Sequence, residues 1–314
     1  MRVTPYAESL NVLVNGGLNA IYVEGLTLID FKPKPVIVID CYSAREILRK
    51  RLESSSFAAL VNLGLRMVDV KIVNYEAIIG GFSVSLRELE EVADDEEGVY
   101  SLSHEGLSKL VIAREHFYKL RRVADNTAPT LEIDGIHMHR IEGTTPWEDA
   151  KRKVLLSKVG ANHKVLDSCM GLGYTAIHSA LLGAKVLAVE VDPNVIELAS
   201  YNPWSWKIKD LQIQVVMGDV CEVVKNLEDE CFDRIIHDPP RFSSRTGNLY
   251  GRKLYSEFHR VLKENGLLFH YVGSPGRMRG LDLMRSVAKR LEEVGFITRV
   301  LKRDGAVLAL KGQS

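Results

Sequence analysis

From residue 145 onward the chain alternates short apolar runs with stretches whose apolar positions recur every three to four residues. KVLDSCMG, KVLAVEVD, IQVVMGD, FDRIIHD and LLFHYVG are too short and too continuously apolar for half-exposed strands. They fit parallel strands covered by helices on both faces. Between them lie YTAIHSALLG, PNVIELASYN, CEVVKNL, LYSEFHRVLKENG and LMRSVAKRLEEVG, which have helical spacing. Thr145-Pro-Trp-Glu148 opens a helix through EDAKRKVLLSKVG, with a capping threonine and proline at the first helical position. Two last strands, FITRVLKR and AVLALKG, flank Asp304-Gly305, a hairpin turn that makes the final strand antiparallel. The expected fold is α/β: a doubly wound, seven-stranded, mostly parallel sheet with an antiparallel C-terminal hairpin strand. Ligands belong at the carboxyl ends of its strands.

The first half is less regular, and we expect a smaller N-terminal α+β domain over 1–140, with the Rossmann-like domain at 141–314. AIYVEGLTLI, PVIVID and GLRMVDVKIV suggest strands. SAREILRKRLE suggests a helix capped by Ser43, and SLRELEEVA starts with a Ser85-x-x-Glu88 capping box. HEGLSKLVIAREHFYKLRR has the spacing of one amphipathic helix, whereas APTLEIDGIHMHRI suggests a hairpin. The acidic run DDEE at 94–97 suggests a solvated turn.

With 46% hydrophobic and 26% charged residues, the 314-residue chain has the composition of a globular, cytoplasmic protein. No apolar run has the length of a membrane span, and the start, MRVTPYAESLNVLVNGG, lacks the core of a signal peptide. The net charge of zero hides an asymmetry. Residues 1–150 carry 16 Lys+Arg against 23 Asp+Glu, a balance of −7, and the remainder carries 25 against 18, a balance of +7. An anionic partner is therefore expected on the second half. Cys41, Cys169, Cys221 and Cys231 show no CxxC pair, which suggests reduced thiols. His137 and His139 would share a strand face, but two ligands make a poor metal site, and no metal is expected.

Asp167-Ser-Cys-Met-Gly171-Leu-Gly173-Tyr-Thr-Ala176 joins the first strand of the regular half to its helix. Glycines there let the backbone approach a ligand and turn into a helix N-terminus. Read literally it is GxGxxA, and Glu190 ends the next strand where a ribose-binding acid belongs. Spacing alone leaves open a nicotinamide enzyme. Asp167 four residues before the first glycine, Asp219 closing MGD and the C-terminal DG hairpin tip the balance.

In that combination, residues 145 to 314 resemble the class I, Rossmann-like S-adenosylmethionine-dependent methyltransferases. LDSCMGLGYTA, NPWS and HDPPRFS are similar to a predicted archaeal methyltransferase family. The resemblance implies S-adenosyl-L-methionine as cofactor, with Asp167, Gly171 and Gly173 at its methionine end. It also implies Glu190 on the ribose hydroxyls and Asp219 facing the adenine amino group. Asp192, followed by Pro193, suits a helix cap better. Trp204 of NPWS fits either adenine stacking or packing.

His237-Asp238-Pro239-Pro240-Arg241-Phe242 ends the fourth strand, where two prolines stop the ladder and stiffen the backbone. Enzymes of this fold with Asp/Asn-Pro-Pro-aromatic at that point methylate planar amino nitrogens. A carboxylate there accepts hydrogen bonds from a flat NH₂ and aligns the nitrogen, so catalysis rests on positioning. Arg241 stands where the aromatic is usual, with Phe242 one residue later, which favours an anion-binding role for Arg241. Asp238 is the expected catalytic group and also lies beside the cofactor, with His237 and Tyr271 as further catalytic candidates; His270 and Tyr271, at the end of the fifth strand, are candidates to assist proton removal. Pro239, Pro240, Arg241, Phe242 and Arg245 are expected on the substrate side. C5 methylation of a pyrimidine would need a thiolate after the fourth or fifth strand, where Ser274 stands instead.

Arg241, Arg245, Arg252 and Lys253 follow the fourth strand, and Arg277 and Arg279 the fifth. Six cations on the substrate side suggest an anionic acceptor, with RNA as the large one. The expected activity is N-methylation of an RNA base in tRNA or rRNA, with residues 1–140 helping to select the substrate. The alternative is methyl or aminopropyl transfer to a small anionic metabolite. Another is a non-catalytic binding module on the same fold.

Overall fold

A computed structural model describes residues 26–273 and 279–312. Its centre is an eight-stranded sheet. From one edge to the other the order is Leu28–Ile29, Gln214–Met217, Lys185–Glu190, Lys164–Asp167, Phe232–His237, Leu262–Tyr271, Ala306–Lys311 and Phe296–Leu301. The five strands from Gln214–Met217 to Leu262–Tyr271 pair in parallel, and the two C-terminal strands are antiparallel. The seven expected strands are all present. An eighth, the two-residue Leu28–Ile29, is lent by the N-terminal half and pairs antiparallel with Gln214–Met217. Of the rest of the expected AIYVEGLTLI strand, residues 20–25 lie outside the described residues, and Leu26 and Thr27 are not in a strand.

Apolar runs become buried strands because each sheet face has its own core. Val165, Ala188, Val215, Ile236 and Phe269 point to one face, and Leu166, Leu187, Val216, Ile235 and Leu268 to the other. On the second face Phe232, Tyr255 and Phe258 are completely buried, each stabilising the fold by about 1.5–3 kcal/mol. Helix Arg252–Val261 stops earlier than LYSEFHRVLKENG suggests, because Leu262 turns extended and enters the next strand with a register shift. The Asp304-Gly305 hairpin is formed, with Gly305 at φ 63.

The N-terminal half contains three small antiparallel sheets and two helices among the described residues. The Ser85–Glu88 capping box forms as expected. Two expectations need correction. The helix from Cys41 is capped by Asp40, not Ser43, which sits three residues inside and returns the bond to the Asp40 amide. HEGLSKLVIAREHFYKLRR is not a helix but three strands, Gly106–Lys109, Val111–Ala113 and Phe117–Arg121. Gly106 at φ +100 starts the chain back along Val99–Ser103, and Tyr118 and Leu120 alternate inward. The DDEE turn is not merely solvated: Asp95, Glu96 and Glu97 pair with Lys109, Arg45 and Arg121. The expected hairpin forms, Thr130–Ile133 with Ile136–His137, turning on Asp134-Gly135 at φ 49 and 79.

The sheet of Val111–Ala113, Phe117–Arg121, Thr130–Ile133 and Ile136–His137 rests on the carboxyl-end side of the large sheet. The Tyr118 hydroxyl donates to Asp192 at 2.6 Å, and Arg114 bonds Asn194 and Glu197. The Tyr174 hydroxyl donates to the Pro129 carbonyl. Val38, Leu63, Leu120 and Leu131 share a core with Leu172, Ile177 and Leu198.

Candidate active site

The site lies where strand order reverses, between Lys164–Asp167 and Phe232–His237. Register aligns Asp167 with Ile236, and the Ser168 amide still donates to the Ile236 carbonyl. Asp238 thus emerges beside the start of the glycine turn.

In that turn Gly171 and Gly173 have φ 55 and 80, a region that penalises any side chain. A Cβ on Gly173 would sit 2.6 Å from Ile208 Cδ1, whereas one on Gly171 would meet nothing within 4 Å. Gly173 caps helix Tyr174–Leu181. Glu190 holds the turn from the neighbouring strand: it accepts from the Gly171 amide at 2.8 Å and from the Val191 and Asp192 amides. Burial raises its carboxyl above the ordinary range, and these backbone donors oppose the rise.

Asp167 is completely buried. Thr175 donates to its Oδ2 at 2.6 Å, while Oδ1 has no hydrogen-bond partner among the described residues. Burial, with smaller contributions from Asp238 and Glu190, pushes the Asp167 carboxyl up to about 7. A buried carboxylate oxygen without a donor beside a glycine turn fits a cationic ligand group such as an α-ammonium. Asp167, Gly171, Gly173 and Glu190 therefore form one cluster that suits an amino-acid-bearing cofactor.

Asp238 adjoins it. Its Oδ2 accepts from Lys153 Nζ at 2.6 Å, and the same ammonium lies 2.8 Å from Asp149 Oδ2 and 4.1 Å from the centre of the Tyr271 ring. Lys153 is only 4% exposed. Burial would neutralise it, but the two carboxylates outweigh that and raise its pKa. Burial raises Asp238, opposed by Lys153. The Tyr271 hydroxyl is likewise raised by burial and pulled back by Lys153, with Arg140 a smaller influence. Sequence reasoning missed Lys153 and Asp149. The available signal was their i,i+4 spacing on the helix Pro146–Leu156, which also suits an exposed pair.

His237 is placed away from this cluster. It is fully buried, with Nδ1 2.6 Å from Ser168 Oγ and Nε2 2.8 Å from the Leu249 carbonyl, and burial lowers its pKa to about 4. Donation from Nε2 to the carbonyl leaves Nδ1 to accept from Ser168. His270, packed against it, bonds Tyr255 and is also held neutral by burial. Pro239 is buried, and the Pro240 carbonyl accepts from Tyr250 at 2.9 Å. Arg241, Phe242 and Arg245 are exposed, with Phe242 edge-on to Tyr250. Arg245 is among the charges that lower the carboxyl of Asp134, behind the Phe117 amide and His116, so this loop faces the N-terminal hairpin.

Asp219 is exposed and caps Val220–Val223 through the Cys221 amide. Asp192 caps Pro193–Tyr201, as expected. Trp204 packs on Trp147 and donates to the Leu63 carbonyl. Arg252 pairs with Glu293. Ser274 and Arg277 lie outside the described residues. The four cysteines are free thiols. His137 contacts Arg121 and Glu132 while His139 bonds Thr130, and no group able to hold a metal occurs among the described residues. No described helix is long and apolar enough to cross a membrane.

Residues 163–302 match the Spermine/spermidine synthase domain. The Uncharacterized protein MJ1233 of Methanocaldococcus jannaschii is 42% identical over 263 residues, 82% of this chain and 90% of that protein. The chain belongs to the same family as MJ1233, and it has the class I, Rossmann-like methyltransferase fold. A tRNA (guanine(10)-N2)-dimethyltransferase of Methanothermobacter thermautotrophicus is 32% identical over 124 residues, 38% of this chain and 35% of that enzyme. A crystal structure of spermidine synthase from Thermotoga maritima is similar at 19% identity and a TM-score of 0.49, covering 66% of this chain and 75% of that one.

Proposed function

We propose that the chain is an S-adenosylmethionine-dependent methyltransferase acting on an amino nitrogen of an RNA base. The observation that carries this is the Asp238 carboxylate, at the strand end beside Asp167, held through Oδ2 by a buried lysine. Its Oδ1 accepts no hydrogen bond among the described residues and is suited to a flat NH₂. Partial identity to a tRNA N2-methylating enzyme and the exposed arginines after Asp238 support an RNA acceptor.

When bound, the cofactor supplies an electrophilic methyl group on a sulfonium. Asp167 Oδ1 would receive its ammonium, and the Gly171–Gly173 backbone would make room for its methionine end. Lys153 opposes the protonation that burial favours at Asp238, and Pro239-Pro240 fix the chain that carries it. Asp238 accepts a hydrogen bond from the acceptor amine, directing the nitrogen lone pair to the methyl carbon. On transfer of the methyl group from sulfur to nitrogen, Asp238 would take the proton that the nitrogen sheds.

Aminopropyl transfer from the decarboxylated cofactor is the second reading, favoured by the match over residues 163–302. Its acceptor is an alkylammonium, which is best held between carboxylates and an aromatic face. Asp149, Asp238 and Tyr271 make such a box, and the ammonium of Lys153 fills it. That occupancy favours methyl transfer.

The test is to incubate purified protein with methyl-labelled cofactor and an extract lacking the endogenous activity. Label in a large fraction released by RNase, and lost with Asp238→Ala while cofactor binding is kept, supports the proposal. Retained turnover in Asp238→Ala removes Asp238 from its role. In a parallel incubation with decarboxylated cofactor labelled in its aminopropyl chain, label that appears in a small amine while the methyl group leaves on the thioether replaces the first reading by the second.

A further inference from the structure

A cavity of about 300 Å³ opens next to the Asp149–Lys153–Asp238 cluster. Arg140, Thr144, Asp149, Arg152, Arg303 and Asp304 line it. Three parts of the chain converge there: the connector entering the helix Pro146–Leu156, one face of that helix, and the C-terminal hairpin turn. The size is at the small end of ligand pockets, about 300–1,000 Å³, enough for one charged group and its attached ring.

The charges around it do not cancel. Arg152 donates to Asp304 at 2.5 Å, and Asp149 is engaged with Lys153, which also serves Asp238. Arg140 and Arg303 are exposed and form no ion pair among the described residues. Two guanidinium groups on one rim, over carboxylates that already have partners, suit a tetrahedral or planar oxyanion. Repulsion works against a cationic polyamine at the same place.

We infer that this cavity binds a phosphate group of the acceptor, adjoining the nitrogen presented to Asp238. The inference rests on the methyl-transfer reading for its link to Asp238. The phosphate belongs either to a polynucleotide backbone or to a phosphorylated small acceptor, and Arg140 and Arg303 serve both in the same way.

The experiment compares the full chain with Arg140→Gln/Arg303→Gln and with Arg66→Gln/Arg87→Gln, which removes equal charge from exposed positions on the N-terminal half. Binding of inorganic phosphate is followed by calorimetry at low salt, and binding of bulk tRNA by filter retention over a salt series. The rim variant is expected to weaken phosphate at least tenfold and to reduce the tRNA salt slope by about the two contacts removed. The distal variant should do neither. Equal losses in both variants, or no loss in the rim variant, overturn the assignment. Loss of phosphate and tRNA binding together assigns the group to a polynucleotide; loss of phosphate with tRNA unaffected assigns it to a small acceptor. If phosphate binding and RNA labelling are both normal in the rim variant, the cavity fails and the RNA reading stands. If phosphate binding is lost as expected but label never enters RNA, the cavity stands and the RNA reading fails.

Discussion

Lys153 Nζ lies 2.6 Å from Asp238 Oδ2, joining the helix that opens the Rossmann half to the strand end 85 residues later. An ammonium with almost no exposure is stable there because Asp238 and Asp149 flank it together. Replacing Lys153 by Met leaves both carboxylates buried without a counter-charge. We expect a loss of about 3–5 kcal/mol in a denaturant titration and a fall in turnover of about 10²–10⁴. The double variant Lys153→Met/Asp149→Leu should regain part of the stability and none of the turnover. A double variant with normal turnover would show that the lysine acts only on folding.

Asp167 links cofactor binding to pH. With its carboxyl raised to about 7 from 3.8, the folded state favours the protonated form. Its contribution to stability is complete below about pH 4 and is lost as pH rises through 7. A cationic group at Oδ1 reverses this preference. Binding then releases a proton below pH 7, and affinity rises by up to about tenfold per unit as pH approaches 7. Calorimetry in two buffers of different ionisation enthalpy measures that proton. Asp167→Asn should abolish the release while raising the denaturant midpoint at pH 8.

The buried imidazole of His237 has the opposite sign. Its pKa falls from 6.5 to about 4, so the unfolded chain binds the proton more tightly. Stability is full above about pH 6.5 and is lost as pH drops to 4, by about 3 kcal/mol from this residue alone. His237→Gln should flatten that part of the stability profile, followed by urea midpoints between pH 4.5 and 7.5. It should also retain most of its turnover at pH 7.5. A collapse of turnover without loss of stability would return His237 to the chemistry.

The two glycines of the turn should differ in their tolerance. Gly171→Ala pays only for its left-handed backbone, about 1–2 kcal/mol. Gly173→Ala adds the collision with Ile208, a further cost of about 1–3 kcal/mol. Thermal midpoints of the two variants check the order.

Much of this architecture was legible because apolar periodicity and turn chemistry agree. Buried parallel strands have to be continuously apolar, and Asp304-Gly305, Asp134-Gly135 and Ser85–Glu88 each name their own geometry. Residues 104–122 misled because Leu107, Leu110, Val111 and Tyr118 have helical spacing, while Gly106 and cross-strand pairing decide otherwise. At the site, Asp167 and the glycines announce themselves by position at a strand end. Lys153 does not, since a lysine four residues from an aspartate has the same appearance on a solvated helix. Only the fold reveals that Asp238 closes over it. His237 and Asp238 are neighbours in sequence, but strand alternation sends their side chains to opposite sides.

The hydrogen bond from Tyr118 to Asp192 and the apolar layer beneath it have a consequence for how the chain folds. Leu120 and Leu131 are covered by the same cluster as Ile177 and Leu198, so neither half has a finished surface where they meet. Residues 141–314 expressed alone would present that layer to water and self-associate. In the intact chain, melting should be a single cooperative event, with calorimetric and van't Hoff enthalpies equal.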